Sequence, residues 1–153
     1  MEIIRAACQS RPAPRQWCSG VVWVDREIVG MEPSRLSTFS AQFGPGARTA
    51  WHRCTYGRVL HVVQGVGRVQ RRGGPVHEVH AGDAIVAGAG EWQWHGAAPN
   101  AFLAVVSAHE SDGEGLGIEW GAHVTDAEYL LPAVGSALPR QFADRVPDRE
   151  ACW

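Results

Sequence analysis

Ten short apolar segments, separated by turns that are mostly rich in glycine, constrain the fold of this chain more than any other feature. Each segment is four to eight residues long and is rich in Val, Trp or Phe, which is typical of antiparallel β-strands. Helical periodicity is nearly absent. The sequence therefore predicts an all-β protein with strands at Cys18–Val24, Leu36–Phe43, Thr49–Cys54, Arg58–Gln64, Gly67–Arg71, Val76–His80, Ala84–Ala87, Gln93–Gly96, Phe102–Ala108 and Gly117–Trp120.

Strands this short need partners along their edges, because an open edge leaves backbone groups unpaired. A jelly-roll β-barrel provides those partners within one domain, and we predict that fold. Gly73 and Gly74 lie between two alternating segments and permit the positive φ angles of a tight turn, so residues 67–80 should form a hairpin. A chain of 153 residues fits one domain that is large enough to contain an internal cavity.

The C-terminal part of the chain predicts a short helix and a tail. Thr125 and Glu128 form a capping-box pattern, which favours one or two helical turns up to Leu131, where a proline follows. We place the barrel domain at residues 1–131. Residues 132–153 are predicted to be a tail that packs on the barrel or on a partner subunit.

Composition restricts the class of partner. The formal net charge is −2 and no block of basic residues exists, which argues against a nucleic-acid or anionic-membrane surface. All fourteen basic residues are arginine, so a Schiff-base lysine is excluded. The chain shows neither a secretory signal nor an apolar run near the length of a membrane span, and we expect a cytoplasmic protein that binds a small molecule.

Two separated segments carry motifs with the spacing of a known family. The first, FGPGARTAWHRCTYGRVLHVVQGVG, spans Phe43 to Gly67, and the second, AGDAIVAGAGEWQWHGAAPN, spans Ala81 to Asn100. Together they resemble the two motifs of the cupin family. Over about residues 1–130 the chain is similar to the small single-domain cupins that include manganese-dependent bacterial hydroxynitrile lyases. The resemblance implies a jelly-roll barrel with a metal-binding cavity.

The resemblance also implies which positions would hold the metal. His52 matches one metal ligand of the family, whereas Cys54 stands at the position of the second His. Arg58 stands at the position of a Gln ligand, and Gln93 at the position of the third His. His95 matches a histidine that lies beside the substrate in the lyases. One of the four implied ligands is therefore present.

Strand alternation places His52 and Cys54 on one face, and Gln93 and His95 on one face, so these side chains can share a cavity. An Arg58 guanidinium directed into that cavity repels a divalent ion, by about 4 kcal/mol for two unit charges 4 Å apart at an effective dielectric of 20. We therefore expect no metal cofactor. The predicted catalytic residues are His52, Arg58 and His95, and the predicted substrate-binding residues are Cys54, Tyr56 and Gln93.

In this interpretation the protein is a metal-independent cupin enzyme of bacterial specialised metabolism. Arg58 anchors a small anionic or enolisable substrate, and His52 and His95 act as acid and base in isomerisation, cyclisation, dehydration or carbon–carbon bond chemistry. The resemblance further implies a homodimer, with an edge supplied by residues 17–43. The remaining histidines are assigned to the core or the surface: His61, His77, His80, His109 and His123.

Two alternatives remain open from the sequence. Arg58 could turn towards solvent or pair with Glu91, which would leave His52, Cys54 and His95 to hold zinc or copper in a metal-dependent lyase or dioxygenase. The second alternative is a barrel that binds a small molecule without converting it.

Overall fold

A computed structural model of the chain describes residues 2–4, 10–111 and 117–135. Within them, fourteen strands and one short helix are formed. The first strands are β1 (Arg11–Pro12), β2 (Cys18–Ser19), β3 (Val22–Val24), β4 (Ile28–Val29), β5 (Leu36–Phe43), β6 (Arg48–Thr49) and β7 (His52–Cys54). They are followed by β8 (Arg58–Arg71), β9 (Val76–His80), β10 (Ala84–Ala87), β11 (Gln93–Ala97), β12 (Leu103–Glu110), β13 (Ile118–Trp120), α1 (Asp126–Tyr129) and β14 (Ala133–Val134).

Two sheets share the long strand β8 and enclose the interior. The first sheet has the order β1, β3, β5, β12, β8, β10, and β4 also pairs with β5. In the second sheet, the C-terminal part of β8 lies between β9 and β11, and β11 continues to β6 and β7. Strands β2, β13 and β14 extend this sheet at its edges. The all-β jelly-roll barrel predicted from the sequence is confirmed.

Strand β8 runs without interruption, whereas the sequence predicted two strands separated near Gly65. Gly65 has a φ angle of +86°, and a Cβ atom built there would lie 1.9 Å from the carbonyl oxygen of Phe102. The register between β8 and β12 shifts between Ala104 and Val105, close to this glycine. Gly65 therefore belongs to an irregular point in a continuous strand, which allows β8 to bend from one sheet into the other.

The predicted strand at Thr49–Cys54 is also different in the structure. It is divided into β6 and β7 by Ala50 and Trp51, whose backbone amides donate to the carbonyl groups of Trp17 and Ala122. This interruption matters for the site, because it directs the Ala50 carbonyl towards the side chain of His52. The predicted hairpin is confirmed, with β8 and β9 paired on either side of the Gly73 turn.

The interior changes from apolar to polar along the barrel. Buried apolar side chains from both sheets form the core at one end: Val22, Ala41, Phe43, Ala47, Leu60, Val62, Val69, Val79, Ala97, Leu103 and Val105. At the other end, where β8 begins and β12 ends, the inward side chains are polar, including Arg58 and His109. The functional site is therefore expected at this polar end.

A second cluster covers the outer face of β11. Trp94 is fully buried against Trp51, Val124 and Tyr129, and its indole N–H donates to Gln70 Oε1 at 2.8 Å. All five residues of β11 are consequently buried, on both faces of the strand. This packing fixes the strand that carries two of the predicted site residues.

Helix α1 secures this outer layer. It shows the predicted capping box, in which Thr125 Oγ1 accepts from the Glu128 amide while the Glu128 carboxylate accepts from the Thr125 amide. Arg48 donates to the Val124 carbonyl at 2.9 Å and holds the segment before the helix against the barrel. Among the described residues, no helix is long and apolar enough to cross a membrane.

After the helix, Ala133 and Val134 pair in parallel with β9. Residues 136–153 lie outside the described residues. The role of the tail beyond β14 therefore stays a prediction.

Candidate functional site

Five of the six predicted site residues meet at the polar end of the barrel. Strand β7 supplies His52 and Cys54, the first residue of β8 is Arg58, and β11 supplies Gln93 and His95. All five are buried, with exposed fractions of 0% for His52, 4% for Arg58 and 2% for Gln93. Gln93 and His52 are directly paired across β11 and β7. The alternation predicted from the sequence therefore directs these side chains into one cavity.

The shortest polar contact in this cavity joins His52 to Arg58. Nη1 of Arg58 lies 2.9 Å from Nε2 of His52, and Nδ1 of His52 lies 2.9 Å from the carbonyl oxygen of Ala50. A carbonyl only accepts and a guanidinium only donates, so the imidazole carries its proton on Nδ1. Burial lowers the pKa of His52 to about 3, with a further contribution from the Arg58 charge. His52 is thus a neutral group that positions Arg58.

Arg58 is a buried cation that has no carboxylate partner in the described part of the chain. None of the ion pairs within the described residues includes it. Burial lowers the pKa of Arg58, and the neighbouring Cys54, which accepts a hydrogen bond from the guanidinium, partly opposes this shift. Nε and Nη2 of Arg58 have no hydrogen-bond partner among the described residues. Nη1 already donates to His52. The remaining edge of the guanidinium, formed by Nε and Nη2, can donate two parallel hydrogen bonds to a planar anion.

Cys54 and His95 are both held in their neutral forms. Burial raises the pKa of the Cys54 thiol, and the Arg58 charge only partly offsets this. The pKa of His95 is well below its ordinary value because of burial, the neighbouring His52 and the Arg58 charge. The rings of His52 and His95 are 5.3 Å apart and nearly perpendicular. His95 is thus a neutral imidazole beside a cation.

Several buried polar atoms of the cavity lack a hydrogen-bond partner among the described residues. Such atoms cost about 1–3 kcal/mol each when they are left unpaired, and in native proteins they often mark a binding site. Besides the two atoms of Arg58, they are Nε2 and Oε1 of Gln93, Nδ1 of His95 and Oγ of Ser107. The cavity therefore offers donors and acceptors to a polar ligand.

An aromatic wall, which the sequence did not predict, borders the same cavity. Trp120 lies 4.9 Å from His52 by ring centroids and stacks on Trp17 at 5.3 Å with an interplanar angle of 5°. On the opposite sheet, the Phe39 ring lies 5.8 Å from the Arg58 guanidinium carbon. Trp17 and Trp120 are half-buried, so this wall reaches towards the surface. The signal was missed because Trp17 and Trp120 are far apart in sequence.

A small cleft of about 120 Å³ reaches Gln93 from outside. Its wall includes the charged side chain of Glu91 and the half-buried Ile85. Gln93 is thus the predicted site residue that this cleft reaches. Tyr56, the sixth predicted residue, lies in the turn between β7 and β8 and is 49% exposed.

The residues present do not fit the divalent metal that the resemblance implies. Nε2 of His52, the atom that could bind an ion, already accepts from Arg58. No three His, Cys, Asp or Glu side chains in the described part of the chain are grouped to hold a metal ion. The alternative in which Arg58 turns to solvent or pairs with Glu91 is wrong, because Arg58 is buried against His52.

Comparisons with known proteins agree with this barrel. A family model described as "Cupin domain" matches residues 39–106. The (R)-mandelonitrile lyase of Granulicella tundricola is 40% identical over 130 residues, which cover 84% of this chain and 98% of the relative. A solved cupin-like protein from Thermotoga maritima is 30% identical, with a TM-score of 0.72, and the match covers 84% of this chain and 95% of that one.

A more distant structure shares the fold alone. The polyketide cyclase RemF from Streptomyces resistomycificus is 13% identical, with a TM-score of 0.62, over 84% of this chain and 91% of that one. The match to the lyase is of a different order, because 40% of the residues are identical over nearly the whole relative, against 13% for RemF. That match, the family model and the two-sheet barrel lead to one assignment: the chain belongs to the cupin family.

Proposed function

We propose that this cupin is a metal-independent enzyme that binds a small organic anion or enolisable carbonyl compound on Arg58 and catalyses proton transfer on it. One observation carries the proposal: a buried guanidinium presents Nε and Nη2, both without a partner among the described residues, next to neutral imidazoles. The finer assignment, to isomerisation, cyclisation, dehydration or carbon–carbon bond chemistry in bacterial specialised metabolism, is part of the same proposal.

Arg58 supplies the binding energy and the charge stabilisation. A carboxylate or enolate oxygen at the free edge of the guanidinium receives two charge-assisted hydrogen bonds. The interaction strengthens as negative charge develops on a carbonyl oxygen, so it favours the transition state of enolisation over the ground state. The hydrogen bond from Arg58 to His52 holds the guanidinium in this orientation.

His52 and His95 take different parts in this proposal. Both ring nitrogens of His52 are engaged, so it is proposed as a positioning residue for Arg58, in place of the acid or base role expected from the sequence. Nδ1 of His95 has no hydrogen-bond partner among the described residues, and it accepts a hydrogen bond or a proton from the substrate. An anion bound on Arg58 cancels part of the charge that lowers the pKa of His95, and binding thus makes His95 a stronger base.

The substrate class follows from the other cavity walls. Gln93 offers both a donor and an acceptor, which orient a carbonyl or hydroxyl group. Trp120 and Trp17 form a stacked surface suited to an aromatic ring. Cys54 stays a thiol that contacts Arg58, because its pKa is raised, and it is proposed to border the substrate without attacking it. An aromatic, enolisable carboxylate matches all of these features.

The 40% identical relative favours a second candidate reaction. Its name, (R)-mandelonitrile lyase, indicates cleavage of an aromatic cyanohydrin. In this chain, that reaction would need a base for the hydroxyl proton and a positive group for the departing cyanide, which His95 and Arg58 provide. We therefore propose cyanohydrin cleavage as an alternative within the carbon–carbon bond class.

Phenylpyruvate tests the proposal, because it is aromatic, anionic and enolisable. Its binding is measured by isothermal titration calorimetry beside that of phenylacetone, which lacks the carboxylate. Loss of its C3 protons in D₂O is followed by NMR, and mandelonitrile cleavage is followed through benzaldehyde absorbance. We expect phenylpyruvate to bind about 10³-fold more tightly than phenylacetone, from about 4 kcal/mol of charge interaction.

The outcomes separate the candidate functions. Catalysed exchange supports proton transfer on an enolisable anion, and catalysed release of benzaldehyde supports the lyase alternative. Equal affinity for phenylpyruvate and phenylacetone would remove Arg58 as the anchor. Tight binding with no exchange and no cleavage would replace the enzyme by a small-molecule-binding barrel.

A further inference from the structure

A second polar group lies at the same end of the barrel, outside the set predicted from the motifs. His109 and Ser37 are paired across β12 and β5, and both are buried, with exposed fractions of 4% and 0%. Nε2 of His109 lies 3.9 Å from Oε1 of Glu27, and Ser37 Oγ donates to the same carboxylate oxygen. Glu27 belongs to the segment between β3 and β4. A carboxylate, a hydroxyl and an imidazole thus meet at this end of the barrel.

This group faces the same space as Arg58. The last registered pair of β12 and β8 is Ala108 with Val59, and one further step places His109 opposite Arg58. Opposite side chains of an antiparallel pair have Cβ atoms about 4.5–5.5 Å apart. The Phe39 ring is a neighbour of both groups, since it lies 5.9 Å from the His109 ring and 5.8 Å from the Arg58 guanidinium carbon.

The group also provides a route to solvent. The His109 side chain is 0% exposed, whereas the Glu27 side chain is 31% exposed. A proton that leaves the cavity through His109 can therefore reach water through the Glu27 carboxylate. The separation of 3.9 Å exceeds a hydrogen bond, but such contacts in ligand-free sites are commonly long and shorten when substrate binds.

We propose that His109 is a second catalytic base, on the opposite sheet from His95, that exchanges a proton between solvent and a substrate anchored on Arg58, with Glu27 and Ser37 as its positioning residues. The inference rests on the proposed function and names a further group for that site. A carboxylate that orients an imidazole beside the reacting centre is a recurrent arrangement for acid–base catalysis. Both ring nitrogens of His52 already form hydrogen bonds, so His52 is unsuited to proton transfer. The proposal assigns this transfer to His109.

The proton and the electron pair of this step are both accounted for by the named groups. An imidazole nitrogen of His109 takes a proton from the carbon next to the substrate carbonyl, and the electron pair of the broken C–H bond forms the enolate. The enolate oxygen carries the negative charge beside Arg58. The proton returns to carbon or oxygen, or it passes from the other imidazole nitrogen to Glu27 and then to water.

The test measures deuterium exchange at C3 of phenylpyruvate, together with its affinity. We expect His109→Gln to slow exchange by roughly 100-fold or more, the usual effect of removing a general base, while the dissociation constant changes by less than about threefold. Glu27→Gln should slow exchange by about tenfold, and Glu27→Asp should restore part of the rate, since it keeps the carboxylate. The matched control is His61→Gln, on the exposed side of β8, which should leave both quantities unchanged.

These outcomes distinguish the inference from the proposed function. If wild-type protein exchanges phenylpyruvate protons and His109→Gln does so at the same rate, His109 is not the base, although the Arg58 anchor stands. If wild-type protein does not bind phenylpyruvate, the proposed function fails and the inference fails with it.

A second measurement needs no substrate. A long-range ¹H–¹⁵N spectrum of wild-type protein at pH 8.5 shows which nitrogen of His109 carries the proton, and the His109→Gln spectrum identifies its signals. We expect the proton on Nε2, which faces the Glu27 carboxylate. A proton on Nδ1 would mean that Glu27 does not orient the ring, and the positioning role would be withdrawn.

Discussion

Replacing Arg58 by Met should remove ligand binding and leave the folded state about as stable as before. Two buried nitrogen atoms of Arg58 lack partners among the described residues, at about 1–3 kcal/mol each, so their removal relieves about 4 kcal/mol. The substitution loses the charge-assisted hydrogen bond to His52 and leaves Nε2 of His52 unpaired, which together cost about 4 kcal/mol. The two contributions nearly cancel, and methionine fits the space of the arginine stem.

The loss of binding follows from the charge. A carboxylate 4 Å from the guanidinium gains about 4 kcal/mol at an effective dielectric of 20, which corresponds to roughly 10³ in the dissociation constant. Arg58→Met should therefore weaken phenylpyruvate binding by about three orders of magnitude. A stabilising structural arginine would behave in the opposite way, since its removal would lower stability and leave affinity unchanged.

Urea unfolding and calorimetric titration of the same preparations measure both quantities. The matched control is Arg53→Met, the same substitution on the outward face of β7, where Arg53 forms a partly exposed ion pair with Glu119. Such surface pairs contribute about 0–1 kcal/mol, so this variant should resemble wild type in stability and in affinity. The reasoning is refuted if Arg58→Met binds phenylpyruvate as tightly as wild type, or if it loses more than about 4 kcal/mol of stability.

Three further predictions concern stability, pH and assembly. Thr125→Ala removes the capping box of α1 and should cost about 1 kcal/mol in urea unfolding; a change below about 0.3 kcal/mol would contradict a role for the cap. The pKa of His52 is about 3 in the folded state and 6.5 ordinarily, so the unfolded chain binds the extra proton and stability should fall by about 1.4 kcal/mol per pH unit as the pH drops below about 6.5. His95 adds a loss of the same sign, and a flat stability profile from pH 7 to 4 would refute both shifts. We propose a homodimer through the edge near residues 17–43, and light scattering at micromolar concentration should give twice the mass of one chain; a monomer mass would reject it.

Local patterns were sufficient for much of the barrel. The Gly73 turn and the Thr125 capping box each depend on residues a few positions apart, and both are present as predicted. The continuity of β8 was missed because Gly65 reads as a turn in sequence. Its positive φ angle is accommodated inside a strand only because the backbone of Phe102 packs against it, and that is a long-range contact.

The site also combines features that local sequence patterns predict with features that depend on long-range contacts. Strand alternation was enough to bring His52, Gln93 and His95 into one cavity. The contact that determines their chemistry could not be predicted, because the hydrogen bond from Arg58 to His52 depends on how the turn between β7 and β8 folds back.

His109 was assigned from the sequence only to the core or the surface. It does lie in the core, but its proximity to Glu27 arises from the pairing of β4, β5 and β12. Such pairing cannot be inferred from the spacing of residues in the sequence. Trp17 and Trp120 were missed for the same reason. Residues outside the two sequence motifs are therefore the part of the site that only the fold reveals.

Metal retention tests the central claim most directly, namely that Arg58 takes the place of the metal. Wild-type protein without a tag is incubated separately with manganese, iron, zinc and copper, desalted, and analysed by elemental mass spectrometry. The control restores the ligand types that the resemblance implies, through Cys54→His, Arg58→Gln and Gln93→His. We predict that wild type retains less than about a tenth of an ion per chain and that the restored variant retains roughly one. Retention of close to one ion per chain by the wild-type protein would contradict the account.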